Sequence, residues 1–104
     1  NSEKNFEEVS KLLKRMKEKG WLHVDTHPGN VMCKNGKMIM IDFGWAVKKG
    51  KKNYPDHPLS RRLGRPLSWK ALEVVQELNT EKYFGVDDQR YNRLEEEWRM
   101  LRSP

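Results

Sequence analysis

The chain has one cysteine, Cys33, in 104 residues, so no internal disulfide framework is possible. No Cys/His grouping has the spacing of a zinc site. Long apolar runs are missing too: nothing approaches the eighteen or so residues of a membrane span, and no signal peptide is evident. The single thiol fits a reducing compartment, so an intracellular setting, cytoplasmic or nuclear, or within a virion, is expected. No internal repeat is present. The chain opens on Asn1 rather than Met, which suggests a piece of something longer.

What is plentiful is charge. Charged residues make 35% of the chain and hydrophobic residues 36%, against about a quarter charged in an ordinary domain. A chain this short buries about two-thirds of its surface, so the core must be thin. Four Trp, three Tyr and three Phe set it apart from disordered sequences. The net charge of +6 is uneven, with Lys48, Lys49, Lys51 and Lys52 together and Arg61, Arg62 and Arg65 soon after. Such a cluster suits phosphate-bearing or acidic partners, or is a solvated loop. No motif of the known nucleic-acid binders accompanies it, so nucleic acid is not expected as a partner.

Periodicity divides the chain. Phe6, Val9, Leu12, Leu13 and Met16 form a helical stripe, with Asn5 as expected N-cap, Glu8 completing a capping box and Gly20 as terminator. Val31–Cys33 and Met38–Ile41 read as short strands about an Asn35-Gly36 hairpin turn, the second buried on both faces. From Trp45 to Pro66 no period is evident, and a loop is expected. Ser68 caps a helix carrying Ala71, Leu72, Val75 and Leu78, broken at Asn79-Thr80. A last helix runs from near Asp87 to Arg102, with Tyr91, Leu94, Trp98 and Leu101 on one face. Trp45, Trp69 and Trp98 read first as core packing and second as a partner surface.

Two blocks stand at an informative spacing: His23-Val24-Asp25-Thr26-His27-Pro28-Gly29-Asn30, then Ile41-Asp42-Phe43-Gly44 after the hairpin. Together they resemble the catalytic loop and metal-binding triplet of the protein kinase superfamily. The His-Pro-Gly-Asn run is similar to aminoglycoside phosphotransferases and to the atypical kinases linked to ubiquinone biosynthesis. Kinase-like proteins of large DNA viruses also mix such features. The resemblance covers residues 6 to 50. It implies an α+β fold, a partial kinase-like C-terminal lobe: helix, catalytic loop, short β-hairpin, long basic loop and two C-terminal helices. The expected divisions are 1–47 for the core piece, 48–67 for an activation-loop-like basic segment and 68–104 for the helices.

The resemblance assigns roles residue by residue. Asp25 orients the attacking hydroxyl and takes its proton. Asn30 and Asp42 hold magnesium, a hard ion that takes carboxylate and amide oxygen together with phosphates. His23 braces the backbone near the triplet, Phe43 packs inward behind Asp42, and Gly44 lets the chain turn. Protein kinases carry Arg before this Asp and Lys two after it. Here Val24 and His27 stand in those places, so His27 is the candidate for the lost cation. No Gly-rich phosphate loop, strand Lys or helical Glu is present, and no Ala-Pro-Glu follows. ATP binding is therefore expected only with a missing N-terminal lobe, and an apolar flank near Trp21 and Met38 is expected to be left for that lobe or for neighbouring proteins of an assembly. The other class of function is a non-catalytic, kinase-derived structural or adaptor module within such an assembly.

Overall fold

The computed structural model describes the backbone of residues 2–103, with side chains from Lys4 onward. It is an α+β domain whose helices outweigh its strands. In chain order the elements are α1 (Ser2–Glu18), β1 (Trp21–Leu22), a 3-10 turn (Pro28–Asn30), β2 (Val31–Lys34), β3 (Lys37–Met40), β4 (Val47–Lys48), β5 (Asn53–Tyr54), α2 (Pro58–Leu63), β6 (Leu67–Ser68), α3 (Trp69–Phe84) and α4 (Asp88–Arg102). The strands form three antiparallel pairs, β1 with β4, β2 with β3 and β5 with β6. No helix among the described residues is long and apolar enough to cross a membrane.

The spine is α3, which packs on α1 on one side and α4 on the other. Ser68 caps it by accepting from the Ala71 N–H. It does not break at Asn79-Thr80, because Thr80 is buried and its hydroxyl is spent on the Gln76 carbonyl, 2.7 Å away. The helix runs on to Phe84, where Gly85 ends it: a side chain there would collide with the carbonyl and carboxylate of Glu81. The last helix starts beside Asp87, as expected, and Asp87 caps it by accepting from the Arg90 N–H. Asn5 caps nothing, since α1 already begins at Ser2 and Asn5 lies inside it.

Two apolar clusters share the interior. The larger gathers Leu22, Val24, Val47, Tyr54, Leu59, Leu67, Leu72 and Val75, with Trp45, Trp69 and Trp98 half-buried against it. Those three indoles follow the core reading. The smaller joins Val9 and Leu13 of α1 to Met40 of the hairpin. The hairpin turns at Asn35-Gly36, both at positive φ (53° and 75°), as a two-residue turn requires. Its second strand is not buried on both faces: Met40 faces α1, while Ile39 is 37% exposed. Among the described residues nothing covers the outer face of this two-stranded ribbon.

The stretch 45–66 is more ordered than its composition suggests. It holds β4, β5 and α2, and Tyr54 is buried rather than displayed with the lysines. The aperiodic sequence conceals this because each element is too short to show a period. His57 supplies the missing order. Its Nδ1 accepts from the Leu59 N–H at 3.0 Å, capping α2, and its Nε2 bonds the Trp45 carbonyl at 2.9 Å.

Candidate functional site

The segment from His23 to Thr26 lies on α3, and polar side chains of that helix fix it. The N–H groups of His23 and Val24 both donate to Gln76 Oε1, at 2.7 and 3.0 Å. Asn79 Nδ2 donates to the Val24 carbonyl at 3.1 Å. The Thr26 hydroxyl sits 3.1 Å from the Gln76 carbonyl and 2.8 Å from the Thr80 hydroxyl. These bonds hold Val24 at φ 75°, where a β-branched residue is strained. The strain turns the chain so that the neighbouring Asp25 is part-exposed while His23, Val24 and Thr26 are fully buried.

Asp25 and Asn30 are brought together directly. Asn30 is buried, and its Nδ2 donates to the Asp25 carbonyl at 2.9 Å and to Asp25 Oδ2 at 3.1 Å. With both bonds on the nitrogen side, the amide oxygen of Asn30 is left as an acceptor. The Asn30 carbonyl accepts from the Ile41 N–H at 2.8 Å, which sets Asp42 one residue beyond the Asp25–Asn30 pair. His23 Nε2 bonds the Ile41 carbonyl at 2.8 Å, the bracing expected of it. His23 Nδ1 is buried without a hydrogen-bond partner among the described residues.

His27 sits beside Asp25. Its Nδ1 accepts from the Gly29 N–H at 3.0 Å, opening the 3-10 turn, and its Nε2 lies 3.5 Å from Asp25 Oδ2. With the Nδ1 lone pair engaged, this is the geometry of an Nε2–H ring facing the carboxylate.

The triplet departs from expectation at two residues. Phe43 does not pack inward: it is 53% exposed, touching the His23 ring edge-on at 5.1 Å between centroids. Nor does Gly44 make the turn. Asp42 does, at φ 55°, with its Oδ1 accepting from the Gly44 N–H at 3.2 Å. Short Asx side chains tolerate that conformation through this kind of local bond. A Cβ on Gly44 would lie 3.2 Å from Asp42 Oδ1, so the glycine gives room rather than flexibility.

Asn30 Oδ1 and the remaining Asp42 oxygen are two protein oxygens, and magnesium ordinarily takes one or two together with water and phosphate. Among the described residues, no group of three or more His, Cys, Asp or Glu side chains forms a denser metal cage. Beside the triplet, Met16, Lys19, Trp21, Phe43 and Ala46 line an apolar groove of about 400 Å³. Trp21 is 40% exposed there, with Lys48 over its ring at 5.9 Å. Met38, by contrast, is half-buried against α1.

Compared with protein-family models, curated proteins and solved structures, the chain matches none. The site stands on its own geometry. Gln76, Asn79, Thr80 and His57 were not singled out as site residues. Gln76, Asn79 and Thr80 have spacing i, i+3, i+4, a polar stripe beside the apolar Leu72 and Val75, and that stripe was the available signal.

Proposed function

We propose that this chain carries the acceptor-orienting and metal-holding half of a kinase-like phosphotransferase, a partial C-terminal lobe of that fold. The observation that supports it best is the Asn30 amide bonded to Asp25 while its own carbonyl takes the Ile41 N–H beside Asp42. The chain's residues then have separate tasks. Asp25 orients a hydroxyl and accepts its proton late, and Asn30 Oδ1 with Asp42 would hold magnesium, which supplies charge neutralisation on the phosphates of ATP. Asn30 holds Asp25 at Oδ2, and His27 lies against the same oxygen. The nucleotide needs a concave site, and the apolar groove at Trp21 and Phe43 is where a nucleotide-binding lobe or a neighbouring protein would close it. The exposed Cys33 fits an intracellular or virion setting.

The test is phosphate transfer from ATP by the complete protein. Asp25→Asn and Asp42→Asn are each expected to lower it by about a hundred- to ten-thousand-fold while leaving the fold intact. Transfer that persists unchanged in both variants overturns these roles.

A second reading, a non-catalytic kinase-derived adaptor, draws on the charge distribution. Residues 48–65 hold seven Lys and Arg and one Asp, and so carry the whole net charge of +6, the rest of the chain being balanced. Complete protein that transfers no phosphate but binds an acidic partner through this segment would favour it.

A further inference from the structure

Asp25 also lines a second hollow, which shares no lining residue with the groove. It has a volume of about 230 Å³ and is lined by the aromatic Trp45, Tyr83 and Trp98, by the polar Asp25, His27 and Asn79, and by three aliphatic side chains. We infer that this hollow is the acceptor pocket and that it takes a neutral molecule carrying its hydroxyl on a six-membered ring, a phenol or a sugar ring. The inference rests on the phosphotransferase reading and adds the substrate class.

Size, walls and charge argue together. Pockets for drug-sized ligands span about 300–1,000 Å³, so this one holds roughly a single substituted ring. Its walls are flat. Trp45 is held edge-on to His57 at 5.6 Å with Arg62 over its ring at 6.0 Å, and Trp98 carries Arg102 at 5.9 Å. Tyr83 is set against the His27 ring at 6.2 Å. Aromatic faces favour another flat or ring-shaped apolar face. No Lys or Arg lines the hollow among the described residues, Arg62 and Arg102 being stacked on the indoles, so its lining offers an anion no ion-pair partner. Two of its polar groups lie together, His27 Nε2 being 3.5 Å from Asp25 Oδ2. That oxygen is taken by Asn30, and Oδ1, free of hydrogen bonds among the described residues, can accept one hydroxyl. In the transfer, the acceptor oxygen bonds the γ-phosphorus of ATP as the bond to the bridging oxygen breaks. ADP leaves with that electron pair, and the hydroxyl proton passes to Asp25.

The test is a titration of the full chain without nucleotide, reading the indole N–H resonances of the tryptophans by NMR. The probes are p-cresol and methyl glucoside, with N-acetylserinamide as an acyclic hydroxyl control. A ring of this size should bind in the roughly millimolar range. At least one ring probe is expected to shift Trp45 and Trp98 saturably and leave Trp21 in place, and which one does so names the source of the ring. Tyr83→Ala, a half-exposed position whose truncation spares the core, should weaken that binding by about threefold or more. The inference is overturned if neither ring probe moves Trp45 and Trp98, if the acyclic control moves them equally, or if Tyr83→Ala changes nothing. Because no ATP is present, a protein inactive in transfer can still pass. Transfer to acyclic acceptors with no ring binding would sink the pocket alone.

Discussion

The stretch 23–30 and the corner 41–45 meet at the candidate site, yet they are held by different chemistry. The first is fixed by amides and hydroxyls of α3, through Gln76, Asn79 and Thr80, none of which titrates in the physiological range. The second is bracketed by two imidazoles, His23 on the Ile41 carbonyl and His57 on the Trp45 carbonyl. The first is largely buried; in the second, Asp42, Phe43 and Gly44 all face solvent. A carboxylate that must orient a substrate benefits from a rigid seat. A metal-holding corner that closes only with a second lobe needs less. The difference predicts that breaking the α3 clamps of the first stretch lowers fold stability, while damage to the corner shows in pH response or activity.

The largest effect on stability should come from Gln76→Leu. It leaves two buried N–H groups, of His23 and Val24, without an acceptor, and each such loss costs about 1–3 kcal/mol. A total near 3 kcal/mol lowers the melting temperature by roughly 12–20 °C in a domain of this size. Asn79→Ala removes one bond, to a carbonyl, and should cost about 1 kcal/mol. Thermal melts of both variants check the ranking, and equal losses would mean that Gln76 is not the principal clamp.

The split also explains how far the sequence could be read. The pairing of Asp25 with Asn30, the hairpin and the His23 brace follow from local spacing, because turn chemistry and a two-residue hairpin leave the chain few ways to go. The caps at Ser68 and Asp87 are local for the same reason. What stayed hidden depends on partners far along the chain. Gln76 is 53 residues from His23, and nothing at either position marks the other. Phe43 shows the limit from the other side: an aromatic in sequence implies burial, but burial needs a covering element, and none of the described residues supplies one. Val24 was legible only as a departure at that position, not as the strained turn that it makes.

The imidazole bracket gives a pH prediction. Burial pushes the pKa of His57 below its ordinary value of 6.5, outweighing the Trp45 carbonyl bond, which raises it. The unfolded chain therefore takes up the proton first, so stability is full above pH 6.5 and falls as pH drops from there toward the folded-state value. Glu77 runs the other way, its carboxyl raised by burial and then by Glu73, and it would mask part of the slope. Comparing wild type with His57→Ala cancels that contribution. At pH 7.5 the variant should lose about 1–2 kcal/mol, from the α2 cap and the bond to Trp45. The gap should narrow as pH is lowered through 6.5 and below. A gap constant from pH 7.5 to 5 would show that the ring is not held neutral, and that the corner is no more titratable than the loop.

The smallest effect is expected at Asp42. This residue sits at φ 55°, a conformation costing an ordinary side chain roughly 1–2 kcal/mol and an Asx residue less. Its one hydrogen bond, to the Gly44 N–H, is exposed and contributes little to stability. Asn accepts the same bond and tolerates the same backbone, so Asp42→Asn should leave the melting temperature within about 2 °C of wild type. Asp42→Gly removes the strain but frees the unfolded chain by a comparable amount, and should also stay within about 0.5 kcal/mol. Asp42→Val, which can do neither, should lose at least 1 kcal/mol. If Asp42→Asn instead melts as far down as Gln76→Leu, the corner is a structural element like the loop, and the carboxylate has been retained for the fold rather than for a cation.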